Sequence, residues 1–158
     1  MIEPGAAAPD FTLPDADGTP VTLSASAGSW RVVYFYPKAS TPGCTTQACG
    51  IRDRAADYEA RGAIVFGISP DPVKAVKKFH DKQELNFTLL ADEDHAVCEQ
   101  YGVWAEKAMY GKTYWGALRS TFLVDPEGVV RHVIPKASPK THDDEVLAKL
   151  DELAGAPA

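Results

Sequence analysis

The residues best able to do chemistry are three cysteines, Cys44, Cys49 and Cys98. Cys44 stands in Thr41-Pro42-Gly43-Cys44, after an apolar run, Val32 to Tyr36, and a short loop that starts at Pro37. Thr41 is a good helix N-cap and Pro42 suits the first helical position, so Cys44 falls third in a first turn. A thiol there meets unpaired backbone N–H groups and the positive end of the helix dipole. Both favour the thiolate, the reactive form. The competing reading is a small buried apolar cysteine. The Thr-Pro-Gly setting favours reactivity.

Cys49 follows five residues later. On an ideal helix that spacing puts the two Cα atoms roughly 8.6 Å apart. A disulfide needs less than about 7 Å. Cys49 is therefore either a bystander or a partner that requires the first turns to unwind. Pro42 supplies no N–H, Gly43 weakens the turn, and Thr45 and Thr46 are mediocre helix formers, so unwinding is feasible. Cys98 lies three residues after His95, but two ligands without further partners make a weak zinc signal. It reads as a half-buried helical cysteine. His132 reads as a strand residue and His142 as part of a helix cap, both structural. Lys74, Lys77 and Lys78 form a solvated helix face.

The elements that must position these residues follow from periodicity. Phe11–Leu13 and Val21–Leu23 flank a turn-rich Asp15-Ala16-Asp17-Gly18 and predict a hairpin, after a loose lead-in over residues 1–10. Val32 to Tyr36 is near-continuously apolar, as in a central strand buried on both faces. Apolar or small residues at 44, 48, 51, 55 and 58 predict a helix from Pro42 to about Arg61, closed by Gly62. Ala63–Ser69 is a second buried strand. Asp71-Pro72 opens a helix with Val73, Val76 and Phe79 inward. Phe87–Leu90 is a third strand and 94–101 a short helix. Residues 105–119 show no clear period and read as a loop. Ser120–Val124 and Val129–Ile134 are strands around the turn Asp125-Pro126-Glu127-Gly128. Thr141 starts a last helix, with Val146, Leu147, Leu150 and Leu153 on one face. Strands alternating with helices predict an α/β architecture, a central mixed sheet flanked by helices, as one domain over 1–158.

The 158 residues carry 16 basic and 22 acidic side chains, a net charge of −6, which argues against nucleic acid and anionic membrane surfaces as partners. No apolar run is long enough to span a bilayer. Met1-Ile2-Glu3-Pro4-Gly5 has neither a basic n-region nor an apolar h-region, which predicts no secretory signal and a cytoplasmic protein. Three cysteines suit such a reducing compartment.

Pro37-x-x-x-Thr41-x-x-Cys44 resembles the active-site motif of peroxiredoxins. Thr41-Pro42-Gly43-Cys44-Thr45-x-Gln47-Ala48-Cys49, running into Arg52-Asp53, is similar to the bacterioferritin-comigratory-protein branch, also called PrxQ. Asn86-Phe87-Thr88-Leu89-Leu90-x-Asp92, Val103-Trp104, Gly111-Lys112-x-Tyr114 and Arg119-Ser120-Thr121-Phe122-Leu123 extend the similarity over about residues 3–153. The resemblance implies a thioredoxin-like fold with the peroxiredoxin insertions. It implies reduction of hydrogen peroxide and organic hydroperoxides without a metal or bound organic cofactor. It makes Cys44 the peroxidatic cysteine and Cys49 the resolving one, joined as an intramolecular disulfide that thioredoxin, or alternatively a glutaredoxin, reduces. Arg119 matches the family arginine, which would stabilise the thiolate and orient the peroxide. Thr41 would offer its hydroxyl, and the N–H groups of Gly43 and Cys44 would face the departing oxygen. Pro37 would shape the loop and shield Cys44 from water. Intrachain pairing implies a monomer. The alternative is a peroxide-sensing relay that passes oxidation to a partner protein.

Overall fold

A computed structural model describes residues 1–154. Two short antiparallel strands, β1 (Thr12–Pro14) and β2 (Pro20–Thr22), form the predicted first hairpin. The main sheet is built from β3 (Trp30–Phe35), β4 (Ala63–Ser69), β5 (Thr88–Ala91), β8 (Ser120–Val124) and β9 (Val130–Ile134), in the order β5-β4-β3-β8-β9. Strands β3, β4 and β5 run parallel, and β8 and β9 add antiparallel pairs, giving a mixed sheet. Helices α1 (Pro42–Asp53), α2 (Ala55–Ala60), α3 (Val73–Lys82), α4 (Ala96–Gln100) and α5 (His142–Ala154) cover it.

The strand alternation divides the core in two. Val32 and Tyr34 of β3 point to the face packed by Ile51, Tyr58, Phe79 and Leu150. Val33 and Phe35 point to the opposite face, among Leu23, Val97, Tyr101 and Phe122. Both faces of β3 are buried, which is why its sequence is apolar without interruption. Fully burying side chains of this size contributes roughly 1.5–3 kcal/mol each. At Gly67 on β4 an added Cβ would lie 2.7 Å from the Tyr34 hydroxyl, so this glycine makes room for a large ring beneath α1.

Three expectations need correction. The segment read as a loop over 105–119 is a hairpin, β6 (Trp104–Met109) paired with β7 (Lys112–Ala117). Its turn is Tyr110-Gly111, with both φ values positive, +54° and +77°. Asn-Gly is the usual signature of such a turn. Tyrosine in the first position hides it, and the mostly exposed flanking strands lack an apolar alternation. The helix expected to run unbroken to Arg61 is interrupted at Arg54, which has φ −104° and ψ 15°. The lead-in is pinned rather than loose. Gly5 and Ala8 donate to the carbonyls of Val130 and Gly128, and Ile2 donates to that of Tyr101.

Candidate active site

The loop after β3 carries the chain from the sheet to α1. Tyr36 N–H donates to the carbonyl of Ile68 at 3.0 Å, prolonging the β3–β4 pairing, and Ala39 N–H donates to the Asp71 carboxylate at 2.8 Å. Ser40 takes a positive φ of 65°, and the chain then extends at Thr41 into Pro42, the first residue of α1. Thr41 occupies the N-cap position but makes no side-chain cap. Its hydroxyl donates instead to the Lys38 carbonyl at 2.8 Å. With that proton committed, Thr41 Oγ1 is left as an acceptor. The first intrahelical donor is Thr45 N–H, to the Thr41 carbonyl at 2.9 Å. The N–H groups of Gly43 and Cys44 therefore lie in the first turn without intrahelical partners.

Cys44 is 1% exposed. Arg119, on the short connection between β7 and β8, reaches its sulfur: Nη2 donates to Sγ at 3.3 Å. Nη1 of the same guanidinium donates to Gln47 Oε1 at 2.8 Å. The arginine fork thus spans positions i and i+3 on one helix face, so one rigid plane fixes both contacts. At Gly43 a Cβ would lie 3.0 Å from Nη2, so glycine here lets the guanidinium come down on the first turn. Behind the arginine lies His142, 1% exposed, with Nε2 2.7 Å from Thr121 Oγ1. Burial first, then the Arg119 charge, pushes His142 down to about 4. A neutral ring beside the guanidinium adds no charge of its own behind Arg119. Burial also raises the Tyr34 phenol well above its ordinary value, so it stays neutral.

Pro37, Thr41, Gly43, Lys107, Trp115 and Arg119 line a cavity of about 530 Å³. A separate cavity of about 280 Å³, between α2 and the edge of the sheet near Tyr58 and Phe87, is lined by no cysteine. Cys49 is not brought to Cys44. It is half-buried, with Sγ donating to Gln83 Oε1 at 3.5 Å, and α1 is continuous across both cysteines. All three cysteines are free thiols. Cys98 is fully buried, not half-buried, in the core of the opposite sheet face. His95 is turned from it, stacked on the Trp104 ring at 4.0 Å.

Two residues that hold the site were not singled out from the sequence. Gln47 was legible only as a letter in the motif; its position three residues after Cys44 was the available signal. Asp71 looked like part of a helix start, and nothing local shows that its carboxylate ties down Ala39.

The AhpC/TSA family profile matches residues 4–133. Peroxiredoxin Bcp of Escherichia coli (strain K12) is 50% identical over 153 residues, covering 97% of this chain and 98% of the relative. A solved structure of Xanthomonas campestris bacterioferritin comigratory protein, described for its alkyl peroxide reduction activity, superposes with a TM-score of 0.88 at 43% identity, covering 98% of each chain. A structure of Xanthomonas campestris peroxiredoxin Q gives a TM-score of 0.88 at 44% identity, again covering 98% of each chain.

Proposed function

We infer the course of the reaction from one premise: this chain belongs to the AhpC/TSA family and is a thiol peroxidase of the Bcp/PrxQ kind. The Cys44 thiolate attacks the terminal oxygen of ROOH. The S–O bond forms as the O–O bond breaks, leaving Cys44 as sulfenic acid and releasing RO⁻, which takes up a proton as ROH. The single observation that carries this reading is the Arg119 fork, with one N–H on the Cys44 sulfur and one on Gln47. In the resting site a cationic donor lies against the sulfur. As the bond breaks it lies beside the developing negative charge, together with the free Gly43 and Cys44 N–H groups. Thr41 Oγ1 accepts a hydrogen bond from the peroxide O–H and so orients the hydroperoxide. Pro37 closes the cavity wall and keeps water off the sulfur.

Cys49 resolves the sulfenic acid: its thiol condenses with Cys44, forming the disulfide and releasing water. The continuous α1 forbids this until its first turns unwind. Those turns are weak. Besides Pro42 and Gly43, the hydroxyls of Thr45 and Thr46 bond back to the carbonyls of Thr41 and Pro42, which slightly destabilises a helix. A dithiol protein, thioredoxin first and a glutaredoxin second, then returns both thiols. The chain acts as a monomeric cytoplasmic domain over 1–158. A stable dimer by size exclusion with light scattering would remove the monomer.

Mass spectrometry after one equivalent of peroxide tests the sequence of steps. Wild type should give an intramolecular Cys44–Cys49 disulfide, and Cys49→Ser should stop as Cys44 sulfenic acid, trapped by dimedone. Normal turnover of Cys49→Ser with thioredoxin would remove the resolving role. Stoichiometric oxidation of a partner without turnover would favour the relay.

A further inference from the structure

The cavity beside the start of α1, bordered by Thr41, Gly43 and Arg119, has a charge that does not match the chain. The protein carries −6, yet the charged side chains lining this cavity are Lys38, Lys107 and Arg119, all positive, with no carboxylate among them. Of the chain's 16 basic side chains, Arg52, Arg54, Arg61, Lys77, Arg131 and Lys149 pair with a carboxylate, and several exposed lysines do not. Among the described residues neither Lys107 nor Arg119 does.

Lys38 is exposed at the mouth, and Arg119 is occupied by Cys44 and Gln47. Lys107 differs from both. It comes from β6, opposite Tyr114 in the hairpin register, and is half-buried. Its stem crosses Gly116, where a Cβ would lie 3.6 Å from Cδ. Its ammonium donates to the Ala117 carbonyl, two residues before Arg119. An ammonium has three donors, so two remain for the cavity. The neighbouring carboxylate on β6, Glu106, is exposed on the other face of the strand. Burial and the Arg119 charge lower the Lys107 pKa, while the Cys44 sulfur opposes them, which places all three groups in one field. Pro37 and Tyr114, the second opposite Lys107 in the hairpin register, supply apolar and aromatic wall around this charge.

We propose that Lys107 is a specificity-determining residue, a second cation of the peroxide pocket that favours organic hydroperoxides carrying a carboxylate over neutral ones of the same shape. The proposal rests on the reading that Cys44 attacks a hydroperoxide in this cavity. Arg119 serves the reacting oxygens, the aromatic wall takes the apolar body, and the Lys107 ammonium receives the distal anion as a point charge.

A matched pair tests it: cumene hydroperoxide and 4-(2-hydroperoxypropan-2-yl)benzoate, which differ by one carboxylate. The ratio of their second-order rates for Cys44 oxidation is read in single turnover with the full chain. The ratio cancels any general loss caused by freeing the Ala117 carbonyl. Wild type should prefer the carboxylate about tenfold at low salt, a preference that shrinks as salt screens the partly open site. Lys107→Met should bring the ratio close to one, and Lys107→Arg should restore most of it. A wild-type ratio near one overturns the proposal, as does an equal preference in wild type and Lys107→Met. Should Lys107→Met not fold, a wild-type preference that ignores salt overturns it too. If neither hydroperoxide is consumed in a Cys44-dependent way, the peroxide reading itself falls, and this proposal with it.

Discussion

Cys44 and Cys98 are buried to nearly the same degree, 1% and 0% exposed, on opposite faces of one sheet. Each sits near the start of a helix. Burial alone therefore cannot separate a nucleophile from an inert core thiol; the partners do. Cys44 faces a guanidinium at 3.3 Å and free N–H groups in its first turn. Cys98 is held near Asp92, whose carboxylate accepts its backbone N–H at 2.8 Å. Burial, then that carboxylate, pushes the Cys98 thiol far up. A negative neighbour and a dry setting both oppose thiolate formation. The difference is one of sign: an arginine against the first sulfur and an aspartate beside the second.

The harshest test exchanges neither partner but removes each sulfur. Cys44→Ser should abolish peroxide consumption, since a hydroxyl at that site is not ionised at neutral pH. Residual turnover above the uncatalysed rate, measured by peroxide loss with thioredoxin, would transfer the role to another cysteine. Next in size is Arg119→Met, which leaves the sulfur but removes its cationic donor. By analogy with the loss of one donor to developing charge, we expect the second-order rate of sulfenic acid formation to fall about 10²- to 10³-fold. An unchanged rate in stopped-flow would show that the first-turn N–H groups suffice and that the comparison with Cys98 rests on helix geometry alone.

Much of this contrast was legible in the chain. Thr41-Pro42-Gly43 fixes where α1 starts, and so where Cys44 lies, because N-cap and first-turn preferences are local. The buried strands β3 and β4 were legible for a similar reason: burial on both faces leaves a continuous apolar run. What could not be read was set by distant contacts. Gln47 is polar and yet 1% exposed, because Arg119 reaches it from 72 residues away. The break at Arg54 falls where its guanidinium bridges Asp57 and Asp144, the second on another helix. The β6–β7 hairpin hid behind exposed strands and a tyrosine in its turn. His142 looked like part of a cap, and only the packing shows it as a buried group against Tyr34 and near the arginine.

That histidine gives the next smaller effect. Folded, His142 titrates at about 4, below its ordinary value, because burial and Arg119 both oppose its charge. Between the ordinary histidine value and pH 4 the unfolded chain therefore binds the extra proton and the folded chain does not. Stability is lost as the pH falls through this window, by up to about 3 kcal/mol at about 1.4 kcal/mol per pH unit. Urea unfolding at pH 7 and pH 4.5 should show a steeper acid loss in wild type than in His142→Asn. Parallel losses would mean that the folded ring takes up its proton as readily as the unfolded one, and so that burial and Arg119 do not hold it neutral.

The smallest expected effect bears most directly on Cys98. Cys98→Ala removes one sulfur from a closed core and leaves a small void, so it should cost about 1 kcal/mol of unfolding free energy. Peroxidase turnover should be unchanged. The sheet lies between the two sulfurs, and no unwinding of α1 moves Cys98 across it. Combining the substitution with Cys49→Ser makes the test strict. Cys49→Ser alone should accumulate Cys44 sulfenic acid, and adding Cys98→Ala should leave its lifetime the same. If the double variant holds the sulfenic acid longer, Cys98 was attacking it. The buried carboxylate beside Cys98 would then not be enough to silence a thiol, and the opposition between the two sites would have to rest on distance rather than charge.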